Sequence, residues 1–274
     1  MATQFVHLHC HSLYSLHNGT ASPERLARRA KELGMPALAL TDYCNLDGIA
    51  EFCDAAKKYK IKPILGLEAS VTGTGKSRLE TEDAFGITLL AMNKEGWQNL
   101  NQLALPIVDT KLLQKHHAGL ICLSGFAGGE IGRLLIDEPK TGYKKAKTVA
   151  QWYHKIFGDR YYLELRHHDI ESQKTLFDQT VALGEELALP TVATNDIHYL
   201  APMDWKAHDR LLRQNNGTGT DSGNTESDKD HPIMGSILHY FRSTKKMLAA
   251  FAGHEAAIGR TLEIADRIEP DVYS

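Results

Sequence analysis

Cysteine is scarce in this chain. There are four in 274 residues, Cys10, Cys44, Cys53 and Cys122, and no Cys-x-x-Cys pair among them. That is too few and too scattered for a disulfide scaffold, so a reducing cytoplasm is the expected setting. Long apolar runs are also missing. Without about 18 consecutive hydrophobic residues no membrane-spanning helix is expected. No basic segment leads into an apolar one at the start, so no signal peptide is expected, and the Asn-Gly-Thr sequons at Asn18 and Asn216 read as chance. Charge of one sign is not in excess. The formal net charge is −3, which excludes a globally basic nucleic-acid surface while leaving room for a local basic patch. No internal repeat is present. Residues 215–230 contain no large apolar side chain, and the stretch 215–232 is expected to be a mobile loop. The last residues, Glu269 to Ser274, form no clear finishing element, so the chain is expected to be part of something longer.

What is present is an ordinary globular composition, 42% hydrophobic and 24% charged. Short apolar runs at 6–10, 37–41, 63–68, 87–92, 120–124, 161–165 and 191–194 read as strands. Amphipathic stretches lie between them. Ser22-Pro23 supplies an N-cap and an N1 proline, Leu26, Ala30 and Leu33 follow at helical spacing, and Gly34 ends the helix. Helices are also expected over 46–59, 94–103, 143–157, 170–187, 244–251 and 255–268, with a short strand at His239-Tyr240-Phe241. Repeated strand–helix units predict parallel strands with right-handed crossovers. Seven strands make either a closed barrel or a wide open sheet. The barrel is favoured, because candidate ligands recur at the ends of strands far apart in sequence, and a closed ring gathers such residues at one rim. One domain over 1–274 is expected.

The most telling local pattern is Phe5-Val6-His7-Leu8-His9-Cys10-His11-Ser12. Alternation is the period of a strand, so His7, His9 and His11 share one face. Imidazole is the commonest side-chain metal ligand. A strand that merely happens to carry histidines is the alternative, but burying them without partners is costly. Other strand ends add Asp42, Glu68, Asp196 and His198. Singly, Asp42 reads equally as the N-cap of a helix starting near Leu46, and Glu68 as a surface carboxylate. Together, His-x-His at one end of the chain and Asp-x-His at the other are the pattern of a metal-dependent hydrolase on a barrel. These nitrogen and oxygen donors suit zinc or manganese better than magnesium.

These motifs, with Leu40-Thr41-Asp42, Gly66-Leu67-Glu68, Leu123-Ser124-Gly125 and the run from Val192 to Leu200, resemble the PHP (polymerase and histidinol phosphatase) domain family. Glu95-Gly96-Trp97-Gln98-Asn99-Leu100, Tyr161-Tyr162-Leu163-Glu164-Leu165 and Ala207-His208-Asp209-Arg210-Leu211-Leu212 resemble one branch of it. That branch is the N-terminal PHP domain of bacterial DNA polymerase III alpha subunits. The resemblance covers about residues 5–268. It implies an α/β fold, a distorted seven-stranded β/α (TIM-like) barrel, with up to nine ligands holding as many as three ions. It implies a parent chain that is a DNA-directed DNA polymerase continuing beyond residue 274. As partners it implies the rest of that polymerase chain, a proofreading exonuclease subunit, and DNA through the parent polymerase.

Carried over residue by residue, His9, His11, Glu68 and Asp196 match the set that holds one ion. A second ion needs Glu68 plus a histidine and a cysteine or histidine at positions that are Gly86 and Phe126 here. A third needs His198, a histidine where Tyr43 stands, and an aspartate where Asn18 stands. His17, six residues after His11, is where phosphatase members place a histidine, and is the candidate replacement. The resemblance therefore implies one or two ions of zinc or manganese, and a partly degenerate site in which Asp42 is the one candidate catalytic residue. The expected role is structural and partner-binding, with at most weak phosphoesterase action. The alternatives are a working metal-dependent phosphoesterase, either a 3′–5′ exonuclease or a small-molecule phosphatase, and the PHP domain of an error-prone polymerase relative.

Other residues carry less. Arg166 follows a strand and is a candidate phosphate contact, or else an ion-pair partner at the surface. Lys144, Lys145 and Lys147 near Trp152 and Tyr153 suit DNA, but read better as a solvated face. The pairs His116-His117 and His167-His168 diverge in regular structure, and only His168 is a candidate for the rim.

Overall fold

The structure, a computed structural model, describes residues 4–15, 18–74, 84–215 and 232–273. His17 and all but the ends of the 215–232 loop lie outside the described residues.

The architecture is α/β. Six strands, β1 (Ala37–Leu40), β2 (Lys62–Thr72), β3 (Ala84–Ala91), β4 (Leu120–Leu123), β5 (Tyr161–Leu165) and β6 (Thr191–Ala193), form one sheet in sequence order. Helices α1 (Pro23–Glu32), α2 (Ile49–Tyr59), α3 (Lys94–Leu103), α4 (Thr110–Lys115), α5 (Glu130–Asp137), α6 (Gly142–Phe157), α7 (Glu171–Leu187), α8 (Trp205–Asn215), α9 (Thr244–Ala250) and α10 (Glu255–Arg267) accompany it. The short helices α4 and α5 were not expected; neither is long enough to show a clear apolar period. The helix starts follow local chemistry. Ser22 Oγ accepts from Arg25 N (3.3 Å) ahead of Pro23 in α1. Asn93 Oδ1 accepts from Gly96 N (2.9 Å) in α3.

Three expectations fail here. The sheet is not all parallel: β3 runs antiparallel to both β2 and β4, while β1–β2, β4–β5 and β5–β6 are parallel. Only eleven residues, 73–83, separate β2 from β3, fewer than the dozen or more that a parallel crossover takes. The register sets Glu68 opposite Thr88 and Ser70 opposite Gly86, which brings β3 residues beside the carboxylate of β2. Second, residues 6–10 form no ladder strand. The segment is instead stitched on both flanks. Ala39 N donates to His7 O (2.9 Å) and Thr41 N to Cys10 O (2.9 Å) on the β1 side. His11 N donates to Ile197 O (2.8 Å) and Ile197 N to His9 O (3.1 Å) on the side of the chain leaving β6. His239-Tyr240-Phe241 likewise contributes an isolated bridge, Tyr199 with Tyr240, rather than a strand.

The strands are buried on both faces, and the fully buried core includes Leu8 of the first segment with Leu38, Leu40, Ile64, Leu67, Leu89 and Leu163. One turn depends on a glycine. Gly125 follows β4 with φ +78°, and a Cβ there would sit 1.8 Å from Gly86 O, so no side chain fits. The close approach leaves Gly125 N free to donate to Glu164 Oε2 (3.0 Å).

Thr41 holds the first segment to β1. Its Oγ1 accepts from Cys10 N (2.9 Å), and Thr41 is fully buried. Thr41→Val keeps the shape and strands that amide without an acceptor. The expected cost is about 1–3 kcal/mol, read as a lower urea midpoint at unchanged m-value; an unchanged midpoint would show that Cys10 finds another acceptor.

Candidate metal centre

The first segment supplies His9 and His11, β2 supplies Glu68, and β5 with the residue after it supplies Glu164 and Arg166. The turn after β6 supplies Asp196 and His198, with Asp196 in the left-handed region at φ +49°. His9 Nε2 stands 3.8 Å from Glu68 Oε2 and 3.6 Å from Asp196 Oδ1. His11 Nε2 stands 3.4 Å and 3.2 Å from the same two atoms. Ligand atoms of His9, His11 and Asp196 all lie within 4.8 Å of one another. The four residues of the expected one-ion set therefore converge, with three of them buried and Glu68 partly so.

The tautomer of His9 favours a ligand. Glu164 Oε1 (3.0 Å) and Thr88 Oγ1 (2.9 Å) both reach Nδ1. A carboxylate only accepts, so Nδ1 carries the proton and Nε2 offers its lone pair, as a carboxylate–histidine pair does at metal sites. Nε2 is buried and has no hydrogen-bond partner among the described residues. Without an ion, burial lowers the His9 pKa, but Glu164 and Asp196 outweigh it and the Arg166 charge, and raise it to about 10. A divalent ion satisfies the same carboxylates without that proton.

Arg166 is not free to meet a phosphate, nor is it at the surface. Nε donates to Glu164 Oε1 (3.0 Å), Nη1 donates to Asp196 Oδ2 (2.6 Å), and Nη2 lies 3.1 Å from His9 Nδ1. Glu164 is held further by Thr194 Oγ1 (2.5 Å) and Gly125 N (3.0 Å). Burial raises the pKa of both carboxylates, yet Arg166 foremost, with His9, brings Glu164 and Asp196 well below the usual range. Arg166 thereby turns the Asp196 carboxylate so that Oδ1 faces the histidines.

The remaining sequence candidates fall elsewhere. Asp42 does not cap α2, which begins at Ile49 behind Gly48. Its carboxylate accepts from Ser12 N (2.6 Å) and Ser12 Oγ (2.7 Å), which ties down the turn after His11. Asn18 presents its backbone carbonyl to His198 Nδ1 and to His208 Nε2 (3.2 Å), and the structure shows no ligand role for its side chain. Tyr43 bridges to the backbone of Glu68 and is 44% exposed, so it supplies no imidazole. A Cβ on Gly86 would lie 3.0 Å from Glu68 Oε1, so that position adjoins the metal set and simply lacks a side chain. Phe126 is buried at φ +46° and offers no donor. His7, third of the alternating histidines, packs edge-on to Phe5 and Phe241, and its Nε2 donates to Arg242 O (2.8 Å). The lysine-rich face is ion-paired: Lys145 meets Glu138 (2.7 Å) and Lys147 meets Glu186, while Tyr153 is buried.

Sequence reasoning missed Glu164, Thr88 and His239. Glu164 sits inside an apolar strand, where a charged residue with no visible partner is itself a signal. His239 is brought in by the bonds His198 N to His239 O (2.9 Å) and Phe241 N to Tyr199 O (2.9 Å). His168 is buried, donates from Nε2 to Asn195 O (2.9 Å), and its ring centre lies 3.9 Å from that of His239.

The PHP domain family model matches residues 7–168. The DNA polymerase III subunit alpha of Helicobacter pylori (strain ATCC 700392 / 26695) is 35% identical over 281 residues, 96% of this chain and 23% of that one. The DNA polymerase III subunit alpha of Escherichia coli K12 is 34% identical over 275 residues, again 96% and 23%. That of Deinococcus radiodurans is 38% identical over 230 residues, 76% and 17%. The chain thus spans about a quarter or less of the length of these curated relatives. A solved structure of a two-domain protein containing a predicted PHP-like metal-dependent phosphoesterase, from Bacteroides vulgatus, aligns at a TM-score of 0.47 and 15% identity, covering 71% of this chain and 52% of that one.

Removing the guanidinium leaves Glu164 and Asp196 buried without their main counter-charge. Arg166→Met is expected to cost about 3–5 kcal/mol in metal-free protein, measured by urea unfolding; a loss below about 1 kcal/mol would mean that water or protons replace the pairing.

Buried neutral histidines set the acid limit. Burial holds His7 and His168 down to about 3. The unfolded chain protonates these side chains near 6.5 while the fold does not. Their contribution is therefore full above pH 6.5 and is lost as pH falls from 6.5 towards 3, at about 1.4 kcal/mol per unit for each. The Tm should drop steadily from pH 6.5 to 4.5, and less steeply in His7→Gln, whose amide still reaches Arg242 O. Parallel Tm–pH curves would sink this.

Proposed function

This chain belongs to the PHP domain family, and from that premise we propose that it is the PHP module of a bacterial replicative DNA polymerase alpha subunit. In this reading it holds one or two ions of zinc or manganese, the first at His9, His11, Glu68 and Asp196, and it serves polymerase architecture and partner binding with at most weak phosphoester hydrolysis. The observation that carries the proposal is the state of the Glu68 neighbourhood. Oε2 of this carboxylate faces His9 and His11, while Oε1 lies 3.0 Å from where a Cβ on Gly86 would stand, so that side meets a residue with no donor side chain. Phe126 adds no donor.

Hydrolysis by clustered metals uses one ion to acidify the attacking water and a second to take the charge on the leaving oxygen. A lone ion supplies the first and not the second, and the absent ion forgoes several kcal/mol of transition-state stabilisation. The intact four-ligand set still supports ion binding, and an ion that binds only the folded state adds stability by mass action. On this reading the stitched segment 6–11 takes the place of the seventh strand and closes the sheet into a barrel, so the ion fastens the closure. The rest of the polymerase chain, a proofreading exonuclease subunit and DNA held by the polymerase are the partners such a module serves. A cytoplasmic setting goes with that role.

The second reading, an active phosphoesterase, is favoured by the completeness of the His9–His11–Glu68–Asp196 set. The two separate on steady-state hydrolysis of a nitrophenyl phosphate and of single-stranded DNA with added manganese. Wild type should show weak or no turnover. A variant carrying Tyr43→His, Gly86→His, Phe126→Cys and Asn18→Asp should gain activity, and each single change should do little. Rapid wild-type turnover abolished by His9→Ala would overturn the proposal in favour of the enzyme.

A further inference from the structure

Two arginines are buried among the described residues, and the fold treats them differently. Arg166, 8% exposed, gives its N–H groups to Glu164 and Asp196. Arg242, 4% exposed, has no acceptor for its guanidinium among the described residues. We infer that Arg242, with Lys246 and the Tyr240 hydroxyl, forms a binding site for a phosphate group, separate from the metal centre.

The three groups meet around one ring. Arg242 Cζ lies 6.0 Å from the centre of the Tyr240 ring, and Lys246 Nζ lies 4.8 Å from the same centre. Lys246 Nζ also donates to the Tyr240 hydroxyl oxygen (2.7 Å). An ammonium only donates, so Tyr240 keeps its own O–H for another acceptor. Tyr240 is buried and Lys246 is exposed, so the set reaches solvent through the lysine.

Two cations at one tyrosine need an anion. The ring quadrupole attracts both but neutralises neither. No carboxylate oxygen among the described residues lies within 4.0 Å of either cation. Burial pushes the Arg242 pKa down, and Tyr240, Asp169 and Tyr199 act against it. The Asp169 carboxylate is itself turned to His167 Nδ1 (3.2 Å). Arginine stays charged regardless, and a buried cation without a partner is costly to the fold. The cost is understandable if the partner comes from outside. Every polar atom offered here is a donor, which selects a ligand that only accepts. Two positive charges and a planar fork of N–H groups suit a phosphate better than a carboxylate. A free phosphate and a phosphate of a nucleic-acid backbone share this chemistry, and the test separates them.

The test uses the whole chain with a chelator present throughout, so that no metal ion can hold the anion. Inorganic phosphate, compared with chloride at equal ionic strength, should raise the wild-type Tm by mass action, and calorimetry gives its Kd. Arg242→Met keeps an apolar stem and should weaken phosphate binding by about tenfold or more. It should also raise the Tm measured without phosphate, because an unpaired buried charge is gone. Arg242→Lys, which keeps the charge and loses the fork, and Lys246→Gln, at an exposed position, should each weaken binding by a smaller factor. Circular dichroism confirms folding; if Arg242→Met does not fold, the other two variants carry the comparison. A short single-stranded DNA is the second arm. Affinity for it lost in the Arg242 variants together with phosphate binding assigns the site to a nucleic-acid phosphate, and unchanged DNA affinity assigns it to free phosphate. No Tm rise beyond chloride in wild type, equal phosphate affinity in wild type and the Arg242 variants, or a lower phosphate-free Tm in Arg242→Met would overturn the inference.

Discussion

One buried guanidinium organises the rim. Arg166 bonds to Glu164 and Asp196 and touches His9, so three residues from different parts of the chain take their orientation from a single cation. Such a charge would be expensive to bury alone, and so would either carboxylate; each is tolerable because the others are there. The arrangement needs no metal to exist. It leaves Asp196 Oδ1 and the Nε2 atoms of His9 and His11 pointing into a shared space, already shaped before any ion arrives. Preorganisation of this kind separates the ability to bind an ion from the ability to use it, and the surroundings of Gly86 and Phe126 bear on the second alone.

Much of this was legible from the chain, and the rest was hidden for identifiable reasons. His-x-His and Asp-x-His at strand ends could be read as ligands because the period of a strand and the ends of strands are local facts. The convergence of Glu68 with them depends on β2–β3 register, which no single segment encodes. Glu164 lies inside an apolar strand with no visible partner in the sequence, since the groups that hold its carboxylate, His9, Gly125, Arg166 and Thr194, come from separate parts of the chain. The direction of β3 was misjudged because strand and helix periods say nothing of connections, and the short path from β2 carried the decisive information. Asp42 looked like a helix cap from its place after β1. The structure gives it to Ser12 instead, because the turn after His11 has amides and hydroxyls to satisfy and α2 starts too late to compete.

The histidines illustrate how context divides one chemistry into several roles. His7 is walled in by Phe5 and Phe241 and stays neutral. His9, two residues on, is surrounded by carboxylates and holds a positive charge when no ion is present. His168 and His239 lie against each other with their rings tilted at 45°, and burial keeps both uncharged. Spacing along the strand put His7 and His9 on the same face, but the layer each occupies decides whether its neighbours are rings or carboxylates.

The stitching of the first segment also has a consequence in time. Val6 N donates to Thr261 Oγ1 across 255 positions of sequence, and His9 and His11 exchange backbone bonds with Ile197. A ribosome adds about 5–20 residues per second, so roughly 10–40 s separate synthesis of the first histidines from that of their partner segment. Over that interval a strand-like, apolar stretch has one flank open, the condition in which edges pair with the wrong neighbour. Folding of this domain is therefore closed by its earliest residues and completed by its latest. Its vulnerable state is the nascent chain rather than the finished protein.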